Sequence, residues 1–241
     1  MFEFIYSVFS FLTIFPYKKY KLEYVAQNMH LFPIVGITIG LFASLSHFLL
    51  ALIFHNLIVS LFIVLFYMYI TGLHHLDGLM DFSDGIMTKG NKAKKIKSMK
   101  DPFVGSAGSA TMIFHILGLI FIISMLDGFV AIKAIILSEM LSKFSMVLQA
   151  ASNTSIPSSS SSLFIKNIRC KNKMIFSTSI TLFVSLLIAG IMGLVIISII
   201  LVLTLIISSV SKTNFGGISG DVFGATNELT RSASLFLFVI I

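Results

Sequence analysis

Three carboxylates stand at a helical interval in one short stretch. The segment His74-His75-Leu76-Asp77-Gly78-Leu79-Met80-Asp81-Phe82-Ser83-Asp84-Gly85 holds three of the ten acidic residues in the chain. At 3.6 residues per turn, positions i, i+4 and i+7 share one helix face. Carboxylates stacked in this way repel, the more so beside a low-dielectric phase, so a cation is expected to offset them. An all-oxygen donor set suits Mg²⁺, which often bridges a few carboxylates to substrate phosphates. Asp77, Asp81 and Asp84 are therefore the expected metal ligands. Neighbouring histidines point to different sides of a helix, so at most one, His75, joins the acids, as a hydrogen-bonding group. The plainer alternative is a solvated helix end.

Two further stretches carry candidate chemistry. Lys92, Lys94, Lys95, Lys97 and Lys100 run directly into Asp101-Pro102. A lysine run beside a membrane usually sets orientation or touches anionic lipid; opposite a metal–carboxylate cluster it would also hold phosphate oxygens, with Asp101 placed to complete the metal site. The second stretch is Asn214-Phe215-Gly216-Gly217-Ile218-Ser219-Gly220-Asp221-Val222-Phe223-Gly224-Ala225-Thr226-Asn227-Glu228. Gly216, Gly217 and Gly220 suit a tight loop before a helix, whose first amides form an anion site. Asp221 and Glu228 follow seven apart on one face. Close packing through Gly220 and Gly224 explains the glycines but not Asp221, Asn227 and Glu228. Acids within a membrane helix are costly and usually functional. Neither the Walker nor the dinucleotide spacing is present.

The elements that must position these residues are apolar. Of 241 residues, 56% are hydrophobic and 11% charged, with a mean hydropathy of +1.00, against roughly 25% charged in soluble domains. Spanning a bilayer takes about 20 apolar residues. Such stretches cover 31–54, 57–74, 104–126, 129–150, 174–190, 191–210 and 222–241. The expected fold is an all-α integral membrane bundle of about 6–7 transmembrane helices, one polytopic domain over 1–241. Segment 2–16 is expected to lie in the interface and to be retained rather than cleaved. Span 129–150 carries Lys133, Glu139 and Lys143, of which Glu139 and Lys143 are spaced for a helical salt pair.

Basic residues fall into three groups: Lys18, Lys19 and Lys21; Lys89 to Lys100; and Lys166, Arg169, Lys171 and Lys173. Two spans separate consecutive groups, so all three lie on one face, which the positive-inside rule makes cytoplasmic. The same parity brings 211–221 to that face and the C-terminus to the other. The acidic and glycine-rich motifs thus share the cytoplasmic boundary of the plasma membrane. The net charge of +7 fits cytoplasmic loops and calls for no nucleic acid. The serine-rich stretch 152–162 reads as a flexible loop. The single cysteine, Cys170, excludes an internal disulfide. A homo-oligomer is compatible with the sequence.

This reading describes a metal-dependent phosphoryl-type transfer, which needs charge neutralisation, positioned phosphates and a base near the attacking hydroxyl. At these motifs the chain resembles the cobalamin synthase family, the adenosylcobinamide-GDP ribazoletransferases. The matching stretches are His75-Leu76-Asp77-Gly78-Leu79 with Asp81 and Asp84-Gly85, Met99-Lys100-Asp101 with Gly105, and Gly216 to Glu228; Phe32-Pro33-Ile34-Val35-Gly36 resembles the family's entry into its first long span. The resemblance implies that a ribose hydroxyl of α-ribazole, or of its 5′-phosphate, attacks the cobinamide-linked phosphate of adenosylcobinamide-GDP with Mg²⁺, releasing GMP. It implies Asp77, Asp81 and Asp84 on the metal, and Asp81, Asp101 and Asp221 as catalytic acids. His75, Lys100, Gly216, Gly217, Gly220, Asn227 and Glu228 would contact substrate. The chain departs from the family pattern at Ile14, Phe103, Glu139 and Lys143. A CDP-alcohol phosphotransferase fits less well, since Phe82-Ser83 replaces its Ala-Arg pair. A cation transporter would place its acids at mid-span.

Overall fold

The structure is a computed structural model that describes residues 2–15, 21–157 and 159–241. Lys18 and Lys19 of the first basic group lie outside the described residues. The described chain is helical: α1 (Phe2–Leu12), α2 (Leu22–Gln27), a 3₁₀ turn (Met29–Leu31), α3 (Phe32–Ala51), α4 (Asn56–Ile70), α5 (His74–Met87), α6 (Lys92–Met99), α7 (Ser106–Ser124), α8 (Gly128–Ser152), α9 (Ser161–Ile168), α10 (Lys171–Phe215) and α11 (Gly220–Ile240). Met29–Ala51, Ser106–Ser124 and Lys171–Phe215 are long and apolar enough to cross a membrane, and α4 with α5 forms a further apolar pair bent by 89°. Phe114 (77%) and Leu187 (72%) stay exposed while Glu139 and Lys143 are fully buried. Such an inverted surface suits a lipid solvent rather than water.

The 45 residues of α10 do not form one rod. Gly190 has φ 57° and ψ −140°, outside the helical region. A methyl group on Gly193 would overlap the Ser185 carbonyl, which a straight helix holds eight residues, about 12 Å, away. The chain therefore doubles back, and only glycine takes this conformation readily. The break at Gly190 falls where the stretches 174–190 and 191–210 adjoin.

Contacts define the two ends of the bundle. At one end, Lys173 Nζ donates to the Gln27 carbonyl at 2.6 Å and Lys92 Nζ to the Lys212 carbonyl at 3.4 Å, while Arg169 and Lys212 line one cavity with Asn153. At the other end, Asn56 Nδ2 donates to Asp127 Oδ1, and Val130, Met192 and Ile241 line one cavity.

α8, the span interrupted by charge in sequence, is the central post. Methyl groups on Gly36 or Gly40 of α3 would collide with the α8 backbone at Glu139 and Ile136. The backbones thus pack directly, as small residues allow in membranes, and the polar side of α8 turns inward.

The serine-rich stretch is not the free loop its composition suggests. Ile156 N donates to the Ile218 carbonyl at 3.0 Å and Ile218 N to the Thr154 carbonyl at 2.9 Å, a short parallel bridge between 155 and 218. Ser161 Oγ also donates to Ile218 O at 2.7 Å. The stretch docks on the glycine loop because backbone groups at a buried edge need partners.

Candidate active site

α5 owes its direction to the turn before it. Gly72 (φ 60°) and Leu73 (φ 65°) are both left-handed, a costly state for leucine. Ile14 supports this turn: its amide donates to the Ile70 carbonyl at 2.8 Å, and its side chain packs on Gly72. The bend of 89° between α4 and α5 turns the three aspartates away from the line of α4.

α5 then crosses α11 in glycine-to-glycine contact. A methyl group on Gly78 would lie 2.8 Å from the Asp221 carbonyl oxygen and 3.2 Å from Gly224 Cα; one on Gly224 would lie 3.0 Å from the His75 carbonyl oxygen. This crossing sets Asp77 and Asp81 beside Asp221. Ser219 caps α11, accepting from Val222 N at 3.3 Å and donating to Asp221 Oδ2 at 3.1 Å.

The electrostatics follow from the crowding. Burial first, then the charges of Asp77, Asp221 and Asp84, push the Asp81 carboxyl up to about 7. Asp221 is raised by burial and by Asp77, with the Ser219 hydroxyl and Lys100 opposing. Burial, aided by Lys143, holds His75 far below the usual imidazole range. These donors are hard carboxylate oxygens carrying uncompensated charge, which fits a Mg²⁺ ion chemically. Among the described residues, no three His, Cys, Asp or Glu side chains converge closely enough to hold an ion by themselves.

Asp84 stands apart from Asp77 and Asp81. Its Oδ2 accepts from Gly105 N at 2.7 Å and its Oδ1 from Gly108 N at 2.9 Å, so both oxygens cap the N-terminus of α7. Asp101 is exposed, its Oδ1 accepting from Phe103 N at 3.0 Å in a turn. Lys100 is exposed at the end of α6, within electrostatic reach of Asp221. Lys95 Nζ donates to the Ile86 carbonyl at 3.0 Å and to Asn214 Oδ1 at 2.7 Å, so Lys92 and Lys95 hold helix C-termini.

The glycine loop divides. Gly216 (φ 87°) ends α10 in a left-handed cap, its amide donating to Lys212 O at 3.0 Å. Gly217 packs against the backbone of 154–156 and accepts from Ser211 Oγ at 2.6 Å. Gly217 is buried by this packing, whereas Gly216 is exposed. Gly220 has open space around it and lines a cavity of about 400 Å³ with Asp221, Asp77, His74 and His75.

Asn227 and Glu228, expected to meet substrate, face inward instead. Arg231 Nη1 donates to both Glu228 oxygens, at 2.7 and 2.6 Å, and its Nε to Glu139 Oε1. Lys143 Nζ donates to Glu139 Oε2 at 3.2 Å, as the spacing predicts, and to Asn227 Oδ1 at 2.7 Å. His115 Nε2 lies 2.9 Å from Glu228 Oε2, and the Arg231 guanidinium stacks 4.8 Å over Tyr67. Neither Asn227 nor Glu228 lines the large cavity. His115 carried no sequence signal, being a lone histidine in an apolar run.

A family model described as cobalamin-5-phosphate synthase matches residues 4–239. The chain belongs to that family. It is 29% identical to an adenosylcobinamide-GDP ribazoletransferase of Thermococcus kodakarensis, covering 98% of this chain and 97% of the relative. A Pyrococcus abyssi protein of the same name is 30% identical over 96% and 95%, and one from Archaeoglobus fulgidus 31% over 97% and 96%. No solved structure matches. Family membership covers every element around the acidic face, from α1 to α11.

Proposed function

We propose that this protein is a membrane transferase that joins α-ribazole, or its 5′-phosphate, to adenosylcobinamide-GDP with release of GMP. The family assignment and the relatives' names support the reaction. The observation that carries the site is the α5–α11 crossing, which brings Asp77, Asp81 and Asp221 within electrostatic reach of one another, with Asp77 and Asp221 lining the cavity and Lys100 within reach of Asp221.

Asp77 and Asp81 would hold Mg²⁺, which when bound would supply positive charge to the diphosphate. Asp84 keeps α7 docked on α5. The amides at the start of α11, beside Gly220, and the Lys100 ammonium receive phosphate oxygens. The nucleoside hydroxyl oxygen forms a bond to the cobinamide-linked phosphorus as the bond from that phosphorus to the GMP oxygen breaks. Asp221, whose carboxyl is raised by burial above its ordinary range, accepts the hydroxyl proton.

The domain is polytopic, with seven helices crossing the plasma membrane and the acidic end in the cytoplasm. The meeting of Lys21-proximal, 89–100, 166–173 and 211–221 segments at one end supports this orientation. Protein purified in detergent and given adenosylcobinamide-GDP, α-ribazole and Mg²⁺ should release GMP, and Asp81→Asn should abolish release. A folded wild-type preparation releasing none sinks the reaction. For topology, Lys89→Cys in a Cys170→Ser background should be labelled only from the cytoplasmic side.

A further inference from the structure

Beyond its acidic mouth, the 400 Å³ cavity has an aromatic wall. Phe11, Phe32, Phe164 and Phe223 line it, brought from α1, α3, α9 and α11. Phe164 is the hub: its ring centroid lies 5.5 Å from Phe11, 6.3 Å from Phe32 and 6.2 Å from Phe223, in tilted and edge-on arrangements. Among the described residues no lysine or arginine lines the cavity, whereas Asp77 and Asp221 do. A phosphate-rich ligand therefore finds no counter-charge inside. The volume is at the small end of ligand pockets, too small for a corrinoid. His75 also lines the cavity, and its buried Nδ1 has no hydrogen-bond partner. A buried polar atom of this kind is costly unless a ligand or water satisfies it.

The reading proposed above, on which this inference rests, requires two substrates to meet at the carboxylates. One is a bulky corrinoid carrying a diphosphate; the other is a nucleoside with a flat bicyclic base. We infer that the aromatic wall around Phe164 receives the base of the attacking nucleoside, which makes these rings the determinants of which lower base is incorporated. Flat rings stack on such a wall in offset or edge-on contact. A base held there directs its ribose toward Asp221, which awaits the hydroxyl. The diphosphate stays outside, on the side of Lys100.

The test compares Phe164→Leu and Phe11→Leu with wild type; both keep a branched apolar side chain and remove a ring. Phe11 is only half-buried, so its variant remains informative if the Phe164 variant aggregates. The KM for α-ribazole should rise about tenfold, the scale of one base–aromatic stack, while the KM for adenosylcobinamide-GDP stays within about twofold. α-Ribazole binding to metal-free protein, followed by its fluorescence, should weaken by the same factor. Phe164→Trp should favour an unsubstituted benzimidazole riboside over the dimethyl form. An unchanged α-ribazole KM, or a rise confined to adenosylcobinamide-GDP, overturns the inference. If wild type releases no GMP, the reaction itself falls, and the binding measurement, which needs no turnover, still decides the cavity.

Discussion

Gly78 of α5 and Gly224 of α11 meet with no side chain between them: a methyl group on either would lie 3.2 Å from the other's Cα. This contact sets the spacing between the aspartates of α5 and Asp221. Gly78→Ala pushes its new methyl against the Asp221 carbonyl, 2.8 Å away, so backbone must move. Displacements of about 1 Å at a reacting centre cost on the order of a hundredfold in rate. GMP release by Gly78→Ala should fall by that order. Gly118→Ala, which adds its methyl to open space on α7, should leave the rate within about twofold, as surface changes usually do.

The acidic face also predicts a pH dependence. Asp81 is pushed up to about 7 from its ordinary 3.8, so between those values the folded protein binds more protons than the unfolded chain. Its contribution to stability is therefore complete below the unfolded value and is lost as pH rises through about 7. A cation seated among the carboxylates reverses this loss. The rise in melting temperature produced by Mg²⁺ should be larger at pH 8 than at pH 5.5, and Asp81→Asn should flatten the difference. Equal shifts at both pH values would falsify the metal role.

Some of this was legible in the sequence and some was not. The i, i+4, i+7 spacing of Asp77, Asp81 and Asp84 defined one helix face, because that period is local. The Glu139–Lys143 pair followed from the same rule. What the spacing does not encode is partner choice across elements. Asp84 spends both oxygens on α7 amides 21 and 24 residues on. Glu228 is claimed by Arg231 and by His115 from another helix. The serine stretch looked flexible because composition reports what a segment lacks, whereas its pairing with Ile218 depends on where the glycine loop brings that residue. The aromatic wall is drawn from four distant elements and has no sequence signature.

Asp84 should separate from its two neighbours by mutation. Asp84→Asn keeps an acceptor for one of the amides of Gly105 and Gly108 and loses the charge that strengthens both bonds. Charged hydrogen bonds are worth about 1.5–3 kcal/mol, so destabilisation of about 1–2 kcal/mol is expected in denaturant titrations of detergent-solubilised protein. Mg²⁺ should still raise the melting temperature of this variant, whereas it should not for Asp81→Asn. A complete loss of the Mg²⁺ response in Asp84→Asn would return that residue to the metal.

The buried network offers the sharpest stability test. Glu139 and Glu228 carry two negative charges and Lys143 and Arg231 two positive ones, so these four sum to zero. Removing one member leaves an uncompensated charge where neither water nor lipid can solvate it, at a cost of about 3–5 kcal/mol. Glu139→Gln leaves Arg231 and Lys143 facing Glu228 alone, and should lower the denaturation midpoint sharply. Adding Lys143→Met restores the balance, one carboxylate against one guanidinium, and replaces the ammonium with an apolar chain of similar length. The double variant should therefore be more stable than Glu139→Gln alone by about 2 kcal/mol, since a balanced or apolar replacement of a buried pair is often nearly neutral. Additive losses in the double variant would show that Lys143 contributes mainly through Asn227, its other partner at 2.7 Å.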